Sequence, residues 1–131
     1  MINREEPYLG EGQTPVLSLK ALAKHFGLSN ISAKAEYLNP TGSYKDRIAA
    51  ATVQDAVRRG HTGWIGTSSG NGGAAMSAYG SRAGLPGFLC IPLSTPPEKL
   101  KSIVPYGTTL LLMDEIGMRE MDAIKNLSDE F

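Results

Sequence analysis

Residues 64–75 read WIGTSSGNGGAA: a compact apolar run, a turn of hydroxyl residues and glycines, then small residues suited to the start of a helix. That order is expected of a strand buried on both faces that feeds a helix through a short loop. Downstream, GFLCIP (87–92) and TTLLLM (108–113) are apolar runs of the same kind, and upstream ISAKAEYL (31–38) alternates loosely as a strand does. Helical segments lie between them. One starts after Ser43, which is read as an N-cap with Asp46 as its capping-box partner. Its apolar positions Tyr44, Ile48, Ala49, Val53, Ala56 and Val57 recur at helical spacing, and Arg58, Arg59 and Gly60 mark its end. A second helix runs from Asn71 or Gly72 to Gly84. A third has Thr95 as cap, Pro96 in the first turn and Glu98 to close the box, and ends near 105–107. A last one, about 117–128, is read as turning Met118, Met121, Ile124 and Leu127 inward.

Strand and helix therefore alternate at least three times, which predicts an α/β fold with a mainly parallel sheet and flanking helices, built as a single unit over residues 1–131. In such sheets ligands gather beyond the C-terminal strand ends, where helices begin. Two loops fall there: NPTGSYK (39–45) after the first strand and SSGNGG (68–73) after the second.

The totals set further bounds. Thirteen basic side chains balance thirteen acidic ones among 131 residues, with no basic stripe, which argues against nucleic acid or an anionic membrane as partner. Cys90 is the one cysteine, so no internal disulfide can form, and a reducing cytoplasm is the expected location. Cys90 itself reads as a small buried hydrophobe in its strand. MINREEPYLGEG has no apolar signal core, and no stretch approaches the roughly 20 apolar residues of a membrane span. His25 and His61 read as a helix-end and a loop residue. Neither stands beside a Cys, Asp or Glu cluster at ligand spacing, so no metal is expected.

Ser68, Ser69, Gly70, Asn71, Gly72 and Gly73 turn a strand into a helix, and helix N-termini expose unpaired N–H groups and a positive partial charge. The loop is suited to a carboxylate or phosphate. Gly70, Gly72 and Ala75 also match the dinucleotide pattern G-x-G-x-x-G/A, but the acidic residue required about 20 positions on is absent from FLCIPLST (88–95). Ser68 and Ser69 lack the G-x-S-x-G elbow and the His partner of a hydrolase. Lys45 falls in the first turn of its helix, where a cation is disfavoured. Shielded from water, that place would favour a neutral, nucleophilic amine able to condense with an aldehyde. The bland alternative is an exposed lysine paired with Asp46. Tyr44 is equally readable as core or as a wall of a site.

NPTGSYKDR (39–47) resembles the lysine motif of the fold-type II pyridoxal-phosphate enzymes, the tryptophan synthase β superfamily, and most closely the threonine synthase branch. SSGN (68–71) resembles that family's asparagine loop, GQTPVLSL (12–19) its usual opening, and PPEKLKSIVPYG (96–107) its Pro-x-x-Lys helix before a glycine and a strand. The resemblance implies pyridoxal 5'-phosphate as cofactor, with Lys45 as the catalytic Schiff-base lysine and proton shuttle. Asn71 would bond the cofactor's ring hydroxyl, and Ser68, Ser69, Asn71 and Gly72 would meet the substrate carboxylate. The implied reaction is β- or γ-elimination or replacement on a small amino acid, threonine synthase-like, with a serine/threonine dehydratase or cysteine synthase-like enzyme as alternative. Gly72 departs from the Thr or His frequent in the family. Family members also run to more than twice this length, and nothing after Met113 resembles their phosphate loop or their pyridine-nitrogen partner. The expectation is therefore an N-terminal portion of such an enzyme. It is read as a shortened chain, one completed by a second chain or a swapped copy in a homo-oligomer, or a catalytically silent subunit.

Overall fold

The computed structural model describes residues 7–114 and 117–128. β1 (Val16–Ser18) and β2 (Ser32–Lys34) form a small antiparallel sheet around α1 (Lys20–His25), with Val16 opposite Lys34 and Ser18 opposite Ser32. A 3-10 turn, Glu36–Leu38, then leads through residues 39–44 into α2 (Lys45–Arg59). The second sheet is parallel, in the order β3 (Trp64–Gly66), β4 (Gly87–Pro92), β5 (Thr109–Met113). Its crossovers contain α3 (Asn71–Arg82) and the short α4 (Pro97–Leu100), and α5 (Met118–Ser128) follows β5. The α/β class with a parallel sheet is as the alternation implied.

The core lies between that sheet and the α2–α3 pair. Ala49 and Val53 of α2 meet Ala74, Ala75, Ala78 and Tyr79 of α3, over Leu89 and Ile91 of the central strand. Alanines on both facing sides bring the two helix axes close, so one large side chain, Tyr79, fills much of the space between them. Trp64 opens β3 with its indole against Gly80 and Gly87, where a Cβ would come within 2.3 and 2.2 Å of it. Gly60 ends α2 in the left-handed region at φ +81°, and the His61 N–H returns to the Ala56 carbonyl at 3.0 Å. Cys90 is buried, and burial pushes its thiol up from the ordinary cysteine value, as befits a packing residue.

Several expectations are corrected. Only residues 32–34 of the 31–38 run are strand, and they pair with β1 in the antiparallel sheet, so the Lys45 loop does not follow a strand of the parallel one. Alternation fixes which faces are apolar, not which sheet a three-residue strand joins. The third helix starts one residue late, capped by Pro96 without a side-chain hydrogen bond, and stops at Leu100 before a 3-10 turn at Val104–Tyr106. β5 is an edge strand with Leu111 and Leu112 exposed, because no helix covers that part of its surface among the described residues. Among the described side chains of α5 only Ile124 is buried; Met121 and Leu127 are exposed, while the Met118 side chain lies outside the described residues. Among the described residues no helix is long and apolar enough to cross a membrane.

Candidate active site

The turn that delivers Lys45 is held from two sides. On the outer side Asn39, nearly buried, accepts the Gly12 N–H at 3.0 Å and donates to the Glu36 carbonyl and Oε2 at 2.8 and 2.9 Å. Glu36 in turn receives Nε and a terminal nitrogen of Arg47 in a two-pronged pair, both at 2.8 Å, and the Thr14 hydroxyl at 3.1 Å. Such a fork gives geometric specificity as well as attraction. The Arg47 guanidinium beside Glu36 holds its carboxyl well below the ordinary 4.5, at about 2. A carboxyl lowered in the fold adds stability above its unfolded value and loses it as pH falls toward the folded one. The melting temperature is therefore expected to fall between pH ~4.5 and ~2, and Glu36→Gln should flatten that part of the curve; thermal melts across acid pH read it.

On the inner side the capping box does not form as the sequence suggested. Ser43 receives the Lys45 N–H at 3.3 Å, but Asp46 does not reach back to it. Its carboxylate turns inward, fully buried, to accept the Thr41 N–H at 2.8 Å, the Thr41 hydroxyl at 2.7 Å and the Tyr79 hydroxyl at 3.2 Å. The salt-bridge reading of Lys45 with Asp46 fails for the same reason: a carboxylate committed to the interior is not free to solvate a neighbouring cation. Lys45 instead begins α2 half-buried, with Nζ 4.8 Å from the centre of the Tyr44 ring. Tyr44 is exposed, so the core reading of it fails.

Facing Lys45 is the start of α3. Gly70 caps it with a backbone φ of −110° and no side-chain bond, and the N–H groups of the first turn have no acceptor within the helix. The turn packs tightly under that helix end. A Cβ on Gly73 would lie 1.9 Å from the Ser68 carbonyl oxygen, and one on Gly72 would lie 3.0 Å from Ser68 Oγ. Between α2, α3 and the end of β3 opens a cleft of about 180 Å³. Lys45, Ser68, Gly72 and Gly73 supply its polar and bare-backbone wall, and Ile48, Trp64, Met76 and Leu89 line its apolar side.

Three of the residues expected at the site thus meet in one cleft: Lys45, Ser68 and Gly72. Ser69 is half-buried in the loop and Asn71 is exposed at the first helical position, and neither lines it. Ser68 occupies the space a side chain at position 72 would need, which explains why glycine is accommodated there. Sequence reasoning missed Thr41, Tyr79 and the Glu36–Arg47 pair. The partners of Tyr79 and Arg47 are 33 and 11 residues away, so no local spacing announces them. No group of His, Cys, Asp or Glu among the described residues could hold a metal.

The set fits the group the sequence implied. An amine beside a helix N-terminus whose cleft-facing positions are glycines can receive an aldehyde and a carboxylate together, and the apolar wall suits a flat ring. The family profile described as "Pyridoxal-phosphate dependent enzyme" matches residues 8–130. A threonine synthase of Halalkalibacterium halodurans is 36% identical over 98% of this chain and 37% of its own. A threonine synthase of Synechocystis sp. is 34% identical over 92% of this chain and 32% of its own. Among solved structures, a serine racemase from Dictyostelium discoideum superposes with a TM-score of 0.78 at 27% identity, over 89% of this chain and 38% of that one. The chain spans about a third of the length of the curated relatives it matches. Lysine turn, bare helix N-terminus and parallel sheet agree with these likenesses: the chain belongs to the pyridoxal-phosphate-dependent enzyme family, in its fold-type II branch.

Proposed function

We propose that the chain is the lysine-bearing portion of a threonine synthase-like enzyme that performs β- or γ-elimination or replacement on a small amino acid, with Lys45 as the catalytic residue. The observation that carries the reading is the single cleft shared by Lys45 and the uncovered start of α3. Lys45 would hold pyridoxal phosphate through its amine, and the same Nζ would take and return the substrate's α-proton. Asn71, beside that cleft, would bond the cofactor's ring hydroxyl. When bound, the cofactor supplies an electron sink for charge developing at the substrate's α-carbon. Ser68, Ser69 and the N–H groups around Asn71 and Gly72 would fix the substrate carboxylate, so that the α-proton faces Lys45 rather than solvent. Thr or His at position 72 would displace the Ser68 side chain and change what the cleft admits. The remaining contacts are assigned to a further segment or a second chain, since the relatives are about three times as long.

A second reading, racemisation, is favoured by the likeness to the serine racemase structure. It asks the same proton abstraction of Lys45 and differs in the face of the α-carbon to which a proton returns. The test is a visible-absorption titration with pyridoxal phosphate. The wild-type chain is expected to develop a saturable yellow band, and Lys45→Ala is expected to lose it. Equal bands in both proteins would overturn the assignment, and a colourless wild type would favour the silent-subunit alternative. Product analysis of the yellow protein with L-serine and with a small amino acid carrying a γ-leaving group then separates racemisation from elimination and replacement.

A further inference from the structure

We infer that Asp46 and Tyr79 form a buried positioning pair that fixes the Lys45 turn to α3, so that the amine and the helix N-terminus keep one spacing; this rests on the role proposed for Lys45. Asp46 is fully buried and follows Lys45 directly. Burying a carboxylate is costly unless donors compensate it, and none of the ion pairs Glu36–Arg47, Asp55–Arg58 and Asp55–Arg59 includes Asp46. Its compensation comes from three donors. Two belong to Thr41, inside the same turn, at 2.8 and 2.7 Å, and the third is the Tyr79 hydroxyl at 3.2 Å.

Tyr79 reaches the pair from the other wall of the cleft. It lies seven residues after Gly72, two helical turns along the same face of α3, and is itself fully buried. A rotation or slide of α3 that moved Gly72 would therefore break the bond to Asp46. The phenol has one proton, and Glu11 Oε2 at 3.0 Å competes with Asp46 for it. Burial, and then the two carboxylates, push its ionisation well above the ordinary tyrosine range, so the proton stays available to the network. None of these hydrogen bonds involves the Lys45 amine. Asp46 and Tyr79 act through the backbone that carries it.

A merely structural role would lower stability without singling out the turn, so the test compares variants of matched stability. Tyr79→Phe and Thr41→Ala remove one donor each, and Val53→Ala creates a small defect in α2 away from the turn. Amide hydrogen exchange at position 41 is read without cofactor. The fraction of borohydride-trapped phosphopyridoxyl label on Lys45 is read with it. Tyr79→Phe is expected to speed exchange at Thr41 by about tenfold relative to Val53→Ala and to lower the Lys45 fraction about threefold. Thr41→Ala is expected to lower that fraction likewise, which keeps the test open if Tyr79→Phe does not fold. Exchange and labelling equal to those of Val53→Ala would overturn the inference. Absence of selective label in the wild type with exchange still accelerated would sink the assignment of Lys45 and leave the pair standing.

Discussion

Gly73→Ala is expected to unseat the start of α3 and to lower the melting temperature by roughly 10 °C or more, through overpacking of about 2–3 kcal/mol. The added methyl would stand 1.9 Å from the Ser68 carbonyl oxygen, 3.0 Å from its carbon and 3.2 Å from Ile103 Cδ1. The first two are backbone atoms, and Ile103 is fully buried, so no flexible side chain can swing away to relieve the contact. The loop 67–70 would have to move as a body, and Ser68 with it. The variant should therefore lose the arrangement of Ser68 and Gly72 together with stability. Gly70→Ala is the control: nothing lies within 4 Å of a Cβ there, and its backbone is not left-handed. Thermal melts of both variants check this, and equal melting temperatures would show that the loop yields where the packing says it cannot.

Gly87→Ala is the second large effect, acting on Trp64 at the start of β3. Its methyl would sit 2.2 Å from the Trp64 ring, and on the other flank of that ring a methyl at Gly80 would come as near as 2.3 Å, so the indole has no free space to retreat into. Trp64 is 8% exposed and its Nε1 has no acceptor among the described residues, so the ring occupies its slot by shape alone. A destabilisation of about 3 kcal/mol is expected, because a rigid bicycle cannot step into another rotamer between two glycines. Shrinking the ring should relieve it. In a double-mutant cycle Trp64→Leu with Gly87→Ala is expected to cost less than the sum of the two, by about 1 kcal/mol or more. Strict additivity in urea unfolding would mean that the two residues do not share the contact.

The features legible in the sequence are those enforced locally. WIGT and GFLCIP announced the buried strands because a strand covered on both faces has to be apolar throughout, and Gly60 and Gly84 marked where their helices stop. The start of α2 was visible from the turn chemistry of NPTGS, although the box drawn between Ser43 and Asp46 was not what formed. There a tertiary demand prevailed: a carboxylate between Thr41 and Tyr79 gains two donors from Thr41 and shares the Tyr79 proton with Glu11, against the one donor that capping would offer. β1 and β2 were obscured because three residues carry too little periodicity to declare a partner. The exposure of Leu111, Leu112 and Met121 was hidden because an apolar pattern records what a surface is suited to meet, whether or not it is covered. At the site, Lys45 and the α3 start were readable as motifs, whereas Thr41, Tyr79 and Glu36 were not, since their roles exist only once distant segments are packed.

The central claim is that Lys45 is singled out by this fold to take the cofactor. The chain has seven lysines, all equally able as free amines to condense with an aldehyde. Borohydride reduction of the purified chain with pyridoxal phosphate, followed by peptide mass mapping, distinguishes a built site from indiscriminate chemistry. The predicted result is a phosphopyridoxyl adduct confined to Lys45. Label spread over several lysines, or none at Lys45, would contradict it.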